Sequence, residues 1–193
     1  ITSPNIGIRN ESLKQLLDSI EFARKIGAGI VVVHPGKRFS VKEPFEDHWK
    51  AQIEALTAVF AKGAEIGVTL ALENMERTSA VASVTDYPDM FRVIRDCDIQ
   101  DLNVTLDTAH MRDTETILRF IDEMGSRVAH AHISDATDKK LHLRIGEGML
   151  DFAAIAQALR GQGFSGVCSL ETYIPGDEEA LAEERKKLDR IFR

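Results

Sequence analysis

With 193 residues, 44% of them hydrophobic, the chain is long enough for one domain with a sizeable core. A formal net charge of −7 and a pI near 5.4 give no general attraction for nucleic acid, and no run approaches the roughly 20 apolar residues of a membrane span. No charged-then-apolar leader opens it, and Cys97 and Cys168 lie far apart in no metal-finger or redox spacing, so a soluble cytoplasmic protein with reduced cysteines is expected.

Residues 1–9 hold Pro4 and Gly7 without periodicity and read as a loop, after which Asn10 should cap a helix carrying Leu13, Leu16, Leu17, Ile20 and Ala23 at helical spacing. Gly27 ends it. The β-branched run Ile30 to Val33 then reads as a strand closed by His34, and Pro35-Gly36 turns the chain. A second helix is expected to start near Pro44, where a missing N–H costs nothing, with Trp49, Ile53, Leu56 and Phe60 inside, His48 at the surface and Gly67 as its stop.

The strand Val68 to Glu73 follows, then a loop rich in Thr, Ser and Asp, and a short helix near Pro88 to Asp96. Next come Asn103 to Asp107 as a strand, with His110 one turn into the following loop, and a helix built on Ile117, Leu118, Ile121 and Met124 and closed by Gly125. Val128 to His132, a polar loop, a helix from about Asp151 to Arg160, the strand Gly166 to Glu171 and a charged helix from Asp177 to Arg193 complete the chain. Strand and helix alternate throughout, which calls for a parallel sheet covered by helices.

Five strand-like runs end in His34, Glu73, Asp107, His132 and Glu171, residues that can bind a metal or move a proton. Asp and Glu number 31 and His 6, so this is a coincidence on the order of one in a hundred once freedom in placing strand ends is counted. An open sheet brings ligands only to its switch-point strands, whereas in a (β/α)₈ TIM barrel every strand C-terminus surrounds one mouth. The barrel is therefore the expected fold, with residues 1–193 a single partial domain. Two positions back from each end, Val32, Ala71, Thr105, His130 and Ser169 should fill its interior, His130 buried and hydrogen-bonded. Five strands fall short of eight, so the first two to three βα units of a barrel are expected to be missing from this sequence.

Glu73, Asp107, His132 and Glu171 form a mixed carboxylate and imidazole set that suits one or two divalent cations, Mn²⁺, Mg²⁺, Co²⁺ or Zn²⁺, with room for substrate oxygens. Two glutamates facing across such a site could remove a proton from one side of a carbon and return it from the other. His34 and His110 are candidates for a second cation or for substrate hydroxyls. His142 stands beside Gly146-Glu147-Gly148, where backbone can approach a ligand, and Arg144 could hold a phosphate or carboxylate bidentately.

The pieces His34-Pro35-Gly36, Leu72-Glu73-Asn74, Leu106-Asp107-Thr108-Ala109-His110, His132-Ile133-Ser134-Asp135, His142-Leu143-Arg144-Ile145-Gly146-Glu147-Gly148 and Leu170-Glu171-Thr172 occur in an order that resembles the xylose isomerase-like TIM barrels. That superfamily includes ketose epimerases, hydroxypyruvate isomerase, inosose dehydratase and the endonuclease IV-type apurinic/apyrimidinic endonucleases. The resemblance implies Glu73, Asp107, His132 and Glu171 as metal ligands, Glu73 and Glu171 as the acid/base pair, and His110 on a substrate hydroxyl. In the endonuclease branch His34, His110 and His142 would join them around three zinc ions, with an aspartate two residues before His142. Here that position is Lys140, which cannot ligate a cation while charged.

The expected function is a metal-dependent sugar or sugar-phosphate isomerase or epimerase working through an enediolate, with a small-molecule substrate, no nucleic acid or membrane partner, and homo-oligomers allowed. The alternatives are a zinc phosphodiesterase for abasic DNA and a barrel that keeps its ligands for a non-catalytic metal.

Overall fold

A computed structural model describes residues 1–174 and 176–192. Its backbone divides into two compact units, residues 1–103 and 104–193. Among the described residues there are five strands and seven α-helices, one helix more than the periodicity suggests.

In the first unit, α1 (Ile6–Ile26) leads to β1 (Ile30–Val33), α2 (Phe45–Ile66), β2 (Thr69–Glu73) and α3 (Tyr87–Cys97). β1 and β2 pair in parallel, with Val32 opposite Ala71, as the strand alternation requires. The left-handed Gly27 and Gly67 end α1 and α2, conformations that cost glycine nothing. α1 starts earlier than expected: Asn5, not Asn10, is its cap, its side chain accepting from the Gly7 and Ile8 amides at 2.9 and 3.2 Å. One asparagine satisfying two orphan N–H groups outweighs the weak helix preference of Gly7. α2 starts directly after Pro44, its cap residue, as the sequence suggests.

His48 is a second correction: it is fully buried, not on the surface. The buried face of α2 also takes in Ala51, Gln52, Ala55 and Val59, so it is wider than the aromatic and aliphatic stripe alone. Burial pushes the His48 imidazole below its ordinary pKa of 6.5, Arg38 adds to this and Glu43 opposes it. The unfolded chain thus binds a proton that the folded chain refuses, so stability is complete above pH 6.5 and declines as pH falls through the folded value. His48→Gln, with nothing to titrate, is expected to flatten that part of the stability profile in urea unfolding. A profile unchanged by the substitution would contradict a buried neutral imidazole.

The second unit holds β3 (Asn103–Asp107, its first residue at the boundary), α4 (Thr108–Met111), α5 (Thr114–Met124), a 3₁₀ turn, β4 (Val128–Ile133), α6 (Phe152–Gly161), β5 (Val167–Leu170) and α7 (Glu178–Phe192). The expected final residue of α7, Arg193, lies outside the described residues. β4 lies between β3 and β5, all parallel. Thr105 pairs with His130, while His130 is opposite Val167 and Ser169 is opposite His132. The strands are staggered, as tilted barrel strands are, and the Ser169 hydroxyl still reaches His130 Nε2 at 3.3 Å. His130 is buried and hydrogen-bonded, in line with its expected place.

No helix among the described residues is long and apolar enough to cross a membrane. Both cysteines are free thiols, and burial pushes Cys168 up to about 11.

Candidate metal centre

Asp107 is the last residue of β3 and the cap of α4 at once. Its Oδ1 accepts from the His110 amide at 2.9 Å, and this single bond turns the expected loop into a one-turn helix. Its other oxygen, Oδ2, lies 3.7 Å from His110 Nδ1 and 3.9 Å from His132 Nδ1. The side chain is completely buried. One oxygen therefore builds the backbone while the other is presented to two imidazoles. Thr108 fixes this corner to β4, its hydroxyl donating to the Ser134 carbonyl at 2.8 Å.

His132 comes from β4, and Glu171 is the first residue after β5, its amide donating to the Ile133 carbonyl at 3.1 Å. His132 Nδ1 and Glu171 Oε2 stand 2.8 Å apart. Burial by itself would raise the Glu171 carboxyl, but the hydrogen bond and charge of His132 beside it, with His142 beyond, hold it down at about 2. Although the Glu171 side chain is 41% exposed, Oε2 itself is shielded from water. Ligand atoms of Asp107, His132 and Glu171 all lie within 4.8 Å of one another. A shielded carboxylate oxygen facing an imidazole nitrogen and a second carboxylate is a donor set that a divalent cation fits.

His142 is brought to the same corner by a loop, with Asp107, His110 and His142 offering a second set of ligand atoms within 4.8 Å. The His110 and His142 rings meet edge to face at 5.3 Å. His142 Nδ1 lies 3.1 Å from the Glu171 carbonyl and 3.2 Å from Ser134 Oγ. A carbonyl can only accept, so Nδ1 carries the proton and Nε2 keeps the lone pair a cation needs.

The groups that hold this loop went unassigned in the sequence. Asp135, 1% exposed, accepts from the amides of Ala136, Gly146, Gly148 and Leu150 at 2.8 to 3.1 Å. Glu184 of α7, equally buried, accepts from the Ile145 amide at 2.9 Å, and Lys187 donates to the Ile145 carbonyl at 2.9 Å. These ties hold His142 at a φ of 53°, a left-handed conformation that a non-glycine residue adopts only under constraint. A Cβ on Gly148 would come within 2.3 Å of Asp135 Oδ1, so the glycine is required by close approach.

Asp135→Ala leaves four amides without their acceptor, and urea unfolding is expected to show a loss of about 2–5 kcal/mol. A loss under about 0.5 kcal/mol, the surface-substitution range, would mean the loop is held by something else.

Among the other expected site residues, His34 and Glu73 meet within the first unit, with His34 Nε2 3.0 Å from Glu73 Oε2. Glu73 is fully buried and His34 is 63% exposed. Arg144 opens the turn whose closing bond runs from the Glu147 amide to the Arg144 carbonyl, and is half-buried. Lys140 closes a small turn on Thr137 and is exposed.

Among known proteins, the chain is 26% identical over 178 residues to an uncharacterised protein of Methanocaldococcus jannaschii, covering 88% of this chain and 59% of that protein. It is 26% identical to L-ribulose 3-epimerase of Mesorhizobium japonicum over 196 residues, all of this chain and 63% of the epimerase. A probable endonuclease 4 of Aquifex aeolicus is 25% identical, with 93% of this chain and 67% of that protein covered. The sequence thus spans roughly three fifths of the first two relatives' length. The structure of D-psicose 3-epimerase from Clostridium cellulolyticum H10, solved with D-tagatose, superposes with a TM-score of 0.81 at 20% identity, covering 100% of this chain and 74% of that one. With strand ends of this kind and a family profile that matches residues 1–191, the chain belongs to the Xylose isomerase-like TIM barrel family.

Proposed function

We propose that this chain carries most of a divalent-metal-dependent epimerase or isomerase acting on a sugar or sugar phosphate. The observation that carries the reading is the Asp107, His132 and Glu171 cluster, in which a shielded carboxylate oxygen faces an imidazole at 2.8 Å and the ligand atoms of all three lie within 4.8 Å of one another. Glu73 is included as the fourth ligand because it ends its strand as the others do and because the family resemblance assigns it. A cation held by these four residues would polarise a substrate carbonyl and its neighbouring hydroxyl.

The residues do the rest. Glu171, held at about 2, is ionised at neutral pH and can accept the proton on the carbon beside the carbonyl. Glu73, carrying a proton of its own, gives it to the enediolate, so that Glu171 ends protonated, Glu73 ends ionised and the carbon is reprotonated with inverted configuration. His110 hydrogen-bonds a substrate hydroxyl, and His34, His142 and Arg144 hold the remainder of the sugar. The relatives named as epimerases support a sugar substrate. A small-molecule substrate also agrees with the net charge of −7.

A second reading has its own observation. The Asp107, His110 and His142 triad is fit for a further cation, as a phosphodiesterase of the endonuclease 4 kind would need. Lys140 and the acidic balance weigh against it.

The test is incubation of the full-length protein and a divalent cation with ketoses in D₂O. Deuterium entering the carbon beside the carbonyl supports proton transfer. Nicking of an abasic duplex with no such exchange would establish the second reading instead.

A further inference from the structure

Three buried polar side chains of the first unit play no part in the reaction described, yet they form one directed chain. His48 and Gln52 stand four residues apart on the inward face of α2, both fully buried, and Ser83, from the segment after β2, is 5% exposed. Gln52 Nε2 donates to the Pro35 carbonyl at 2.9 Å. Its amide oxygen accepts from Ser83 Oγ at 3.0 Å. A serine hydroxyl has one proton, and here it is committed to Gln52, so Ser83 can only accept from His48 Nε2, 3.0 Å away. The direction of every bond is fixed: His48 to Ser83, Ser83 to Gln52, Gln52 to Pro35. It also rules out Ser83 as a nucleophile activated by His48, because the imidazole gives the hydroxyl a proton instead of drawing one away.

Both ends of this chain lie beside the strand-end residues. Pro35 follows His34, whose Nε2 is 3.0 Å from Glu73 Oε2. Ser83 adjoins Val84, whose carbonyl accepts from the Met75 amide at 2.8 Å, two residues after Glu73. The two loops are also tied directly, by the Arg38 amide to the Val81 carbonyl at 2.9 Å and by the Arg38 guanidinium to the Ala80 carbonyl. Removing α2's polar groups would leave a buried Pro35 carbonyl and a buried Ser83 hydroxyl without the partners they now have.

We propose that His48, Ser83 and Gln52 are a positioning relay, built into α2, that fixes the loop after β1 and the loop after β2 in mutual register beside His34 and Glu73. Its bearing on catalysis rests on the assignment of those two residues to the site, but the positioning itself is measurable without metal or sugar.

The experiment is hydrogen exchange on the full chain, metal-free, for wild type, His48→Phe, Ser83→Ala and His48→Gln. In His48→Phe and Ser83→Ala the Arg38 and Met75 amides are expected to exchange at least about tenfold faster, while amides of α5 keep their rates. His48→Gln, whose amide can donate from nearly the position of Nε2, is expected to restore protection. Should His48→Phe fail to fold, Ser83→Ala with its smaller volume change carries the test. Unchanged exchange at Arg38 and Met75, or equal acceleration throughout the chain, would overturn the relay. Neither result touches the proton-transfer reading, which the deuterium experiment decides separately.

Discussion

Glu171→Gln is expected to lower turnover by about a thousandfold, in the range that removal of a general base produces, and to stop deuterium entering the substrate carbon. The substitution keeps the shape of the side chain and removes its charge, so the Glu171 backbone bonds to Ile133 and to the His142 ring remain. What goes is the anion that His132 holds at about 2 against the effect of burial. An amide oxygen can still approach a cation, but it cannot take a proton from carbon at neutral pH. Proton NMR of the substrate in D₂O reads the exchange directly, with thermal unfolding as the control for the fold. Wild-type exchange rates in a folded Glu171→Gln protein would remove Glu171 from the acid/base role.

The parts of this molecule that sequence periodicity revealed are those whose stabilisation is local. Leu56 and Phe60 recur at helical spacing because one helix face is buried, and Gly27 and Gly67 end helices because they take the left-handed conformation without strain. The strand ends were legible for the same reason: a β-branched run stops where a polar side chain begins. Hidden were the features that depend on partners far along the chain. The helix of Thr108 to Met111 exists because Asp107 caps it, and no four-residue propensity announces that. His48 is buried through Ser83, 35 residues away, and Asp135 closes on amides up to Leu150, 15 residues on. His132-Ile133-Ser134-Asp135 was conspicuous as a motif, yet only the structure gives its aspartate a role, that of organising the loop which aims His142.

Asp107 is where the metal assignment meets its second large effect, because that residue alone offers an oxygen to both ligand groups. Asp107→Ala would remove the α4 cap as well as a ligand, mixing a stability loss of about 1 kcal/mol with any loss of metal. Asp107→Asn separates the two. Its amide oxygen can still accept from the His110 amide, as Oδ1 does at 2.9 Å, while the second position becomes an NH₂ group that repels a cation. Affinity for Mn²⁺, Mg²⁺, Co²⁺ or Zn²⁺ is therefore expected to fall by at least about a hundredfold, with the unfolding midpoint of the metal-free protein little changed.

Equilibrium dialysis of full-length wild type and Asp107→Asn against Mn²⁺ or Zn²⁺, with bound metal quantified by mass spectrometry, puts this to the most direct test. One or two tightly bound equivalents in wild type, lost in the variant, is the predicted result. Equal metal content and affinity in the two proteins would contradict the placement of a cation among Asp107, His132 and Glu171.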